Sequence, residues 1–498
     1  MPNPCNLTYS PPTYPNQGIH MEQLGGLDNL MIEGELPDIP MHMSAVLIYD
    51  TGTKAGTDKL FEKLRYSMEE LMPSHFPILR ARLESVPLEL DKAYWIEDTH
   101  FNVGYHLERS ALPGQRDWAA LHESFSHFHA QPLDRARPLW QVVVVEGLDA
   151  LEGVPAGATA LFLKIHHAMM DGKSALRLIS AIHATSADED APLIADSLEK
   201  DPAHSDFTPP TWWEKYGRAW WHSVERPLDL ASTLVKLVPD LLPSLLPGRD
   251  DHGEGDSDSP AVPQLHFNHP VSGNRVTGHL RMSLRPLNRL VKKHSVSIND
   301  IALAVVAGAL RYYLQERDEL PDTDTLALMP IDIRRKGEDG QMGNHVAMAR
   351  VPLFTTLKSP WERLLAIHGA AQDKKRRSKG NKGHSHLVLD LVDDIHPALI
   401  LWLGNWLVAS GKIDELPQSV NTAVTNVPGL RQRAWLGGAE LVDYLGFGPL
   451  APNMGLFHTV SSTSKHVNIS FLSTPEFLDD GAAYQRALEK SWRQMVRL

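Results

Sequence analysis

Two adjacent histidines, followed after three residues by aspartate and glycine, are the side chains of this sequence best suited to chemistry. They stand in the run Lys164-Ile165-His166-His167-Ala168-Met169-Met170-Asp171-Gly172. A neutral imidazole accepts a proton near pH 7, so a histidine held beside a bound hydroxyl can act as a general base. The spacing therefore indicates a site for proton transfer.

The elements around this run would position the histidines. Residues 158–165 are almost continuously apolar, which is typical of a strand buried on both faces. Residues 172–184 carry apolar side chains at helical spacing, which predicts a helix. The order strand, sharp turn, helix puts the pair where a buried sheet opens toward a cleft. It also puts His167 near a helix N-terminus, whose partial positive charge would keep the imidazole neutral.

Each residue of the motif also has an ordinary structural explanation. Asp171 is expected to cap the helix by accepting the amide hydrogen of Lys173 or Ser174. Gly172 would be needed if the backbone turned tightly or passed close to something large. A histidine at the end of a strand is often simply a hydrogen-bonded core residue. The combination of these residues is what favours a base.

The paired-histidine motif resembles that of the coenzyme A-dependent acyltransferase superfamily, which includes chloramphenicol acetyltransferase and the condensation domains of peptide synthetases. Further stretches narrow the resemblance to the bacterial wax ester synthase/acyl-CoA:diacylglycerol acyltransferase family. They are, in the family's order, Pro40-Met41-His42, Pro138-Leu139-Trp140, Asn299-Asp300, Gly343-Asn344 and Asn426-Val427-Pro428-Gly429. The resemblance covers most of the chain from about Leu24. Departures are Leu430, where many members have a second proline, and an unusually long segment between the halves.

The resemblance implies a fold and an activity. The fold is a two-lobed α/β architecture like chloramphenicol acetyltransferase, with a mixed sheet and flanking helices in each lobe and the active site in a tunnel between them. The activity is transfer of a fatty acyl group from acyl-CoA to diacylglycerol or a long-chain alcohol. His167 would be the base, His166 its support, and Asp171 the residue that holds the turn. Structural support would come from Gly172, Pro138, Leu139, Trp140, Asn299 and Asp300.

Two other functions remain open at this point. A related condensation-type enzyme would take its acyl group from a carrier protein, and a non-catalytic protein would only bind lipid. Asn299-Asp300 also has an alternative explanation as a plain helix start, in which Ser297 and Asp300 form a capping box.

The pattern of strands and helices itself supports two lobes. The first half predicts strands at 42–49 and 140–146 and a helix at 57–71, besides the motif strand and helix. The second half predicts strands at 278–283, 326–331 and 345–351, a helix from Asn299 to about Leu314, and a final helix at 480–497. This mixture is typical of α/β proteins. We predict an N-terminal lobe at 1–200, an insertion and linker at 201–262, and a C-terminal lobe at 263–498.

The predicted insertion is rich in aromatic residues. Trp212-Trp213 and Trp220-Trp221 flank Tyr216, and Trp213, Tyr216, Trp220 and Val224 fall at helical intervals. Together with the proline-broken leucines of 234–246, this stripe could rest in a lipid interface, cover a tunnel mouth, or pack on the protein body. Residues 248–260 are acidic and rich in Gly, Asp and Ser, which predicts a solvated linker.

Composition limits the remaining function classes. The 498 residues carry 48 basic and 61 acidic side chains, a net charge of -13, which makes a poor nucleic-acid binder. Cys5 is the only cysteine, so neither a disulfide within the chain nor a cysteine metal site is possible. His122, His127 and His129 are expected on different sides of a helix, without partners to complete a metal site. We expect no metal and no cofactor, with acyl-CoA as substrate.

The sequence also bears on location. We expect no secretory signal, and the sequence has no run of about 18 apolar residues that would span a bilayer. We therefore expect a cytoplasmic protein that meets the inner face of a membrane, or lipid inclusions, from the side.

Overall fold

Two six-stranded sheets and one three-stranded sheet form the framework of this computed structural model. It describes residues 22–188, 191–197, 211–223, 262–332, 346–380, 396–412, 418–430 and 432–498. Most of the insertion and linker, and the stretch Gly343-Asn344, lie outside the described residues.

The strands, in chain order, are β1 (Glu22–Gln23), β2 (His42–Asp50), β3 (Ala81–Glu84), β4 (Tyr94–Glu97), β5 (Leu107–Ala111), β6 (Trp140–Glu146), β7 (Thr159–His166), β8 (Val276–Ser283), β9 (Leu326–Asp332), β10 (Val346–Pro352), β11 (Thr422–Val427), β12 (Trp435–Leu436), β13 (Ala439–Phe447), β14 (Leu456–Ser462) and β15 (His466–Ser473). The helices are α1 (Gly26–Glu33), α2 (Lys54–Tyr66), α3 (Trp118–Ala130), α4 (Gly172–Ala181), α5 (Leu284–His294), α6 (Ile298–Glu316), α7 (Pro360–Gly380), α8 (Pro397–Ala409) and α9 (Gly481–Met495). Residues 212–223 are also helical. The strands and helices predicted from the sequence are all present, with ends shifted by a few residues, and the predicted helix at 57–71 is α2 followed by a π turn at Ser67–Leu71.

Both large sheets are mixed, as the resemblance implies. The first has the order β12-β13-β2-β7-β6-β5, in which only β5 and β6 are parallel. The second has the order β10-β9-β11-β14-β15-β8, and β11 runs parallel to both of its neighbours. The small sheet is β1-β4-β3. With helices packed on these sheets, the α/β fold predicted from the sequence is confirmed.

The second half of the chain contributes two strands to the first sheet. β12 and β13 come from the predicted C-terminal lobe, yet β13 pairs antiparallel with β2 of the first sheet, with a bulge between Leu441 and Asp443. β13 also packs against β14 and β15 of the second sheet. The first sheet is therefore completed by the second half of the chain. The predicted boundaries at 200 and 262 fall where most residues are undescribed, and they stay predictions.

β7 lies at the centre of the first sheet, and all eight of its residues are buried. Ala160 and Phe162 face one apolar core, which continues through α6 and the second sheet. Leu161, Leu163 and Ile165 face the other core, which α2 and α4 cover. Burial on both faces explains the unbroken apolar run in the sequence. The strand is thus held rigidly at the end from which the histidines emerge.

Within the described ranges, no single helix combines the length and apolar composition of a bilayer span; α5 and α6 do so only when taken together, and they meet at a bend of 106°.

Candidate active site

The turn between β7 and α4 is tied to the segments on either side of it. The amide of His166 donates to the Leu139 carbonyl at 2.9 Å, and the amide of His167 donates to the Met41 carbonyl at 2.9 Å. Met169 N donates back to the carbonyl of His166 at 3.0 Å. The main chain of the histidine pair is therefore fixed by two of the sequence landmarks, Pro138-Leu139-Trp140 and Pro40-Met41-His42.

Asp171 caps α4, as expected. Its Oδ1 accepts the amide hydrogen of Ser174 at 2.8 Å, and its carbonyl accepts that of Ala175 at 2.9 Å. The side chain is buried. Of the two amides considered from the sequence, the one used is that of Ser174. These bonds define where the helix begins and thereby fix the length of the turn after His167.

Gly172 lies where the two halves meet. A Cβ atom at this position would stand 3.6 Å from Cγ2 of Val427, which is ordinary contact. Gly172 does not have a positive φ, so a tight turn in the left-handed region is not the reason for a glycine at this position. A larger side chain would instead push against the end of β11. The neighbouring Gly429 is packed more closely still, because a Cβ there would overlap the carbonyl of Ser462.

His167 is partly exposed, while its neighbours His166 and Ala168 are buried. Burial of its surroundings lowers the pKa of His167 below its ordinary value of 6.5, and the nearby His166 lowers it further. The polar backbone of His167 itself and the charge of Asp171 act in the opposite direction on this pKa. The imidazole is therefore neutral near pH 7, as predicted, but desolvation is the main cause rather than the helix N-terminus.

The geometry also indicates which nitrogen of His167 faces outward. Nδ1 of His167 is buried in the protein, so Nε2 is the nitrogen left to accept a proton from a bound molecule.

His166 lies beside a carboxylate that the sequence reasoning missed. Its Nδ1 accepts the amide hydrogen of Ala168 at 3.1 Å, which leaves Nε2 as the donor nitrogen of the ring. That atom lies 3.6 Å from Oε1 of Glu35. The sequence offers only a weak hint of this contact, because Glu35 precedes the Pro40-Met41-His42 stretch by a few residues.

Glu35 is the centre of a small charged network. It accepts the amide hydrogen of Met41 at 2.9 Å and pairs with Nη2 of Arg135 at 2.8 Å. Burial raises the pKa of this carboxyl, but His166, Arg135 and the Met41 amide together outweigh burial and lower it to about 2. Glu35 is therefore a carboxylate at any physiological pH, and it joins the segment before β2 to the histidine pair.

His42 and Lys164 are two further polar side chains near the end of the sheet where His166 lies. His42 stands opposite His166 in the β2–β7 pair, and its Nε2 donates to the carbonyl of His129 at 2.6 Å. Lys164 is buried and donates to the carbonyls of Phe128 at 2.9 Å and Gln131 at 2.7 Å. Burial lowers the pKa of Lys164 to about 8. The ammonium thus satisfies carbonyls at the C-terminal end of α3 and fixes that helix against β7.

Pro138-Leu139-Trp140 supports the site from the neighbouring strand. Besides the Leu139 carbonyl that holds His166, the Trp140 indole donates to the Leu79 carbonyl at 2.8 Å and stacks on the His106 ring with centroids 4.5 Å apart. Both Leu139 and Trp140 are buried. The motif therefore acts on the candidate base through the main chain of β6 and β7.

Asn299 and Asp300 lie at the start of α6. Ser297 and Asp300 form the predicted capping box, with bonds of 2.8 and 3.1 Å between side chain and main chain. Asp300 also pairs with Nδ1 of His368 at 2.7 Å, and the Asn299 amide contacts Sδ of Met329 at 3.4 Å. These partners belong to the second half of the chain. Among the contacts of the described residues, none joins Asn299 or Asp300 to the histidine pair.

A cleft of about 580 Å³ lies between α3 of the first half and β8 and α9 of the second. Its lining includes Trp118, His122, Arg275 and Gln485, and none of the residues of the histidine motif. The predicted tunnel at His167 therefore stays a prediction.

The three histidines of α3 correct one expectation. They were expected on different sides of the helix, but His122 and His129 share its buried side and only His127 is exposed. His122 bonds to Nδ1 of His279 at 2.9 Å. Within the described part of the chain, no group of three or more His, Cys, Asp or Glu side chains is arranged to hold a metal ion.

Comparison with known proteins assigns the family. Residues 24–302 match the wax ester synthase/diacylglycerol acyltransferase catalytic domain, and residues 342–496 match the WS/DGAT C-terminal domain. The chain belongs to the wax ester synthase/diacylglycerol acyltransferase family. The protein is therefore an acyltransferase, and the candidate site lies inside the segment that matches the catalytic domain.

Relatives and solved structures agree with this assignment. A Mycobacterium tuberculosis protein provisionally named diacylglycerol O-acyltransferase is 30% identical over 464 residues, which are 91% of this chain and 92% of the relative. The wax ester synthase/diacylglycerol acyltransferase of Marinobacter aquaeolei VT8 has the same fold, with a TM-score of 0.67 at 21% identity, over 96% of this chain and 100% of that one. The first condensation domain of the calcium-dependent antibiotic synthetase resembles this chain less, with a TM-score of 0.53 at 14% identity over 96% of each chain.

Proposed function

We propose that the protein transfers a fatty acyl group from acyl-CoA to the hydroxyl of diacylglycerol or a long-chain alcohol. The products are triacylglycerol or a wax ester, together with free coenzyme A. The observation that carries this proposal is a neutral, partly exposed His167 at a rigid turn between the halves of an acyltransferase.

The reaction needs a group that accepts the hydroxyl proton, and it needs the two substrates to be bound next to each other. The acceptor hydroxyl attacks the thioester carbonyl while Nε2 of His167 takes the hydroxyl proton. The tetrahedral intermediate then collapses and expels the CoA thiolate, which recovers that proton from the imidazolium, so that an ester and a thiol remain. General base catalysis of this kind contributes about 100- to 10,000-fold, and holding both substrates together supplies much of the remaining acceleration.

Residues around the base would position it. Glu35 lies 3.6 Å from Nε2 of the buried His166, and Asp171 fixes the turn through the amide of Ser174. These roles involve no covalent bond between the enzyme and the acyl group. Direct attack of the hydroxyl on the thioester, with both substrates bound, is therefore the simplest mechanism. The reaction calls for no metal and no cofactor besides the acyl-CoA substrate.

The proposed substrates suggest the location. Diacylglycerol, fatty alcohols and their products partition into lipid, so we place the protein in the cytoplasm against the inner membrane face or lipid inclusions.

The experiment that tests the proposal uses the purified full chain with palmitoyl-CoA and either dioleoylglycerol or hexadecanol, and no carrier protein. Released CoA is measured with a thiol reagent, and the ester is identified by mass spectrometry. Palmitoyl-CoA turnover by the unmodified chain excludes both a carrier-dependent condensation enzyme and a non-catalytic lipid-binding protein.

His167→Ala should reduce ester formation by about 100-fold or more, because the general base is lost, and its melting temperature shows that the loss does not come from unfolding. The matched control is His127→Ala, which removes an exposed histidine from α3 and should keep full activity. Equal ester formation by His167→Ala and the unmodified chain would overturn the role of this residue.

A further inference from the structure

Two separate helices expose large apolar side chains beside the same hairpin. On residues 212–223 the four exposed indoles are Trp212, Trp213, Trp220 and Trp221. On α8 the exposed side chains are Leu399, Trp402, Leu403 and Trp406. Six of the chain's 12 tryptophans are therefore exposed on these two helices, although soluble surfaces rarely show contiguous apolar patches of this kind.

The exposed stripe of α8 follows helical spacing. Residues 399, 402, 403 and 406 fall at i, i+3, i+4 and i+7, so they share one face of the helix. The whole helix carries no charged residue. Its inner side contacts α1 and the turn Pro87–Glu89. In a helix packed on a protein body the apolar face points inward, whereas here it points to solvent.

The hairpin of β3 and β4 brings the two helices together. Ala219 packs with Val86, Tyr94 and Ile96, while Lys215 bonds to Glu84 at 2.5 Å. α8 contacts the turn of the same hairpin. The aromatic stripe predicted from the sequence thus adopts a helix, but its indoles face away from the protein body.

The tip of this hairpin adds a further apolar side chain. Leu88 is 85% exposed, and its backbone has a φ of 58°, in the left-handed region that a leucine seldom adopts. The turn therefore presents an apolar side chain to solvent beside α8.

We propose that the exposed faces of residues 212–223 and α8, with Leu88 between them, form one docking surface for a phospholipid bilayer. We refer to it as the indole platform. The inference rests on the proposed function in one respect: an acceptor dissolved in lipid must reach the site from a lipid phase.

The chemistry of the platform favours lipid over a second protein chain. An indole has an apolar body and one N–H donor, which suits the boundary between acyl chains and headgroups. Cations lie beside it, since Arg218 is exposed on the first helix and Nζ of Lys412 stands 5.2 Å from the Trp406 ring centroid. Such cations meet the phosphates of headgroups when the indoles are inserted.

The length of α8 sets its orientation. Thirteen helical residues extend about 20 Å, which is too short for a hydrocarbon layer of about 30 Å. The helix therefore lies in the plane of the membrane with its stripe pointing into the lipid.

The test compares the full chain with the double variant Trp402→Ser/Trp406→Ser in flotation with vesicles of phosphatidylcholine and phosphatidylglycerol. Both indoles are exposed, so the variant should keep its melting temperature. We expect its vesicle partition coefficient to fall by about tenfold or more. The matched control is Tyr66→Ser on α2, which removes a 57% exposed aromatic ring outside the platform and should bind vesicles as the unmodified chain does.

A second variant and two further measurements keep the outcomes distinct. Leu88→Asp should weaken vesicle binding as well, because it places a charge at the centre of the platform. Unchanged vesicle binding by both variants overturns the inference, and so does sedimentation in which the substitutions only dissociate a dimer of this chain.

Turnover of palmitoyl-CoA with a short soluble alcohol should be unchanged in the variants. If even the unmodified chain gives no turnover but platform-dependent vesicle binding persists, the proposed function fails and the platform stands.

Discussion

Replacing Glu35 by glutamine tests whether the carboxylate beside His166 stabilises the folded chain. The carboxyl has a pKa of about 2 in the folded protein, against an ordinary 4.5, and its side chain is only 11% exposed. At about 1.36 kcal/mol per pKa unit, this difference is worth up to about 3 kcal/mol of unfolding free energy at pH 7. Glutamine keeps an oxygen for the Met41 amide but loses the charge that faces Arg135 and His166.

The pH dependence of the effect has a definite sign. Because the folded-state pKa is the lower one, the carboxylate stabilises the fold fully above about pH 4.5, and this contribution is lost as the pH falls toward 2. The difference in unfolding free energy between the unmodified chain and Glu35→Gln should therefore be largest at pH 7 and should fall to about half near pH 3.

Urea unfolding followed by tryptophan fluorescence at several pH values measures this difference. The control is Glu62→Gln, which breaks a surface pair with Arg65 and should cost less than about 1 kcal/mol. Equal stability of the unmodified chain and Glu35→Gln at pH 7, or a loss that stays constant down to pH 3, would refute the reasoning.

Three further outcomes are expected. Asp171→Asn should keep most of the activity, because its amide oxygen can still accept the amide hydrogen of Ser174. Asp171→Ala should lower the unfolding free energy by about 1 kcal/mol, because the cap is lost. Loss of activity in both variants at unchanged stability would indicate a role in proton transfer instead. The rate of ester formation should fall to half its maximum only below pH 6.5, because the base must be neutral and burial lowers the pKa of His167 below its ordinary value of 6.5. A half-maximal rate above pH 7 would contradict this. Trp140→Phe should lower the unfolding free energy by about 2 to 4 kcal/mol in urea titration, because the buried Leu79 carbonyl loses its donor and a gap remains; a loss below about 0.5 kcal/mol would show that the indole bond is dispensable.

Local patterns made the motif predictable. The unbroken apolar run of β7, the cap at Asp171 and the capping box at Ser297 are signals within a few residues of one another, and all three elements are present. Interactions of this range are set by backbone geometry and burial, so a single sequence contains them.

Contacts between distant segments were not predictable in this way. Glu35 meets His166 only because the segment before β2 folds over the end of β7, and no spacing in the sequence expresses that. The sequence also gave no sign that Trp402 and Trp406 are exposed, because a helix without charged residues, such as α8, is ordinarily buried. For the aromatic residues near Trp213, the sequence left three explanations open, and only their exposure in the structure separates packing on the body from the others.

The pairing of β13 with β2 has a consequence for biosynthesis. On one side β2 is joined to β7 early, but its other edge waits for residues 439–447, which leave the ribosome near the end of translation. Until then a row of unsatisfied amides and carbonyls on a strongly apolar strand is open to other nascent chains. A truncated product that stops after the catalytic segment would therefore aggregate rather than persist as half an enzyme, and productive expression depends on finishing the polypeptide.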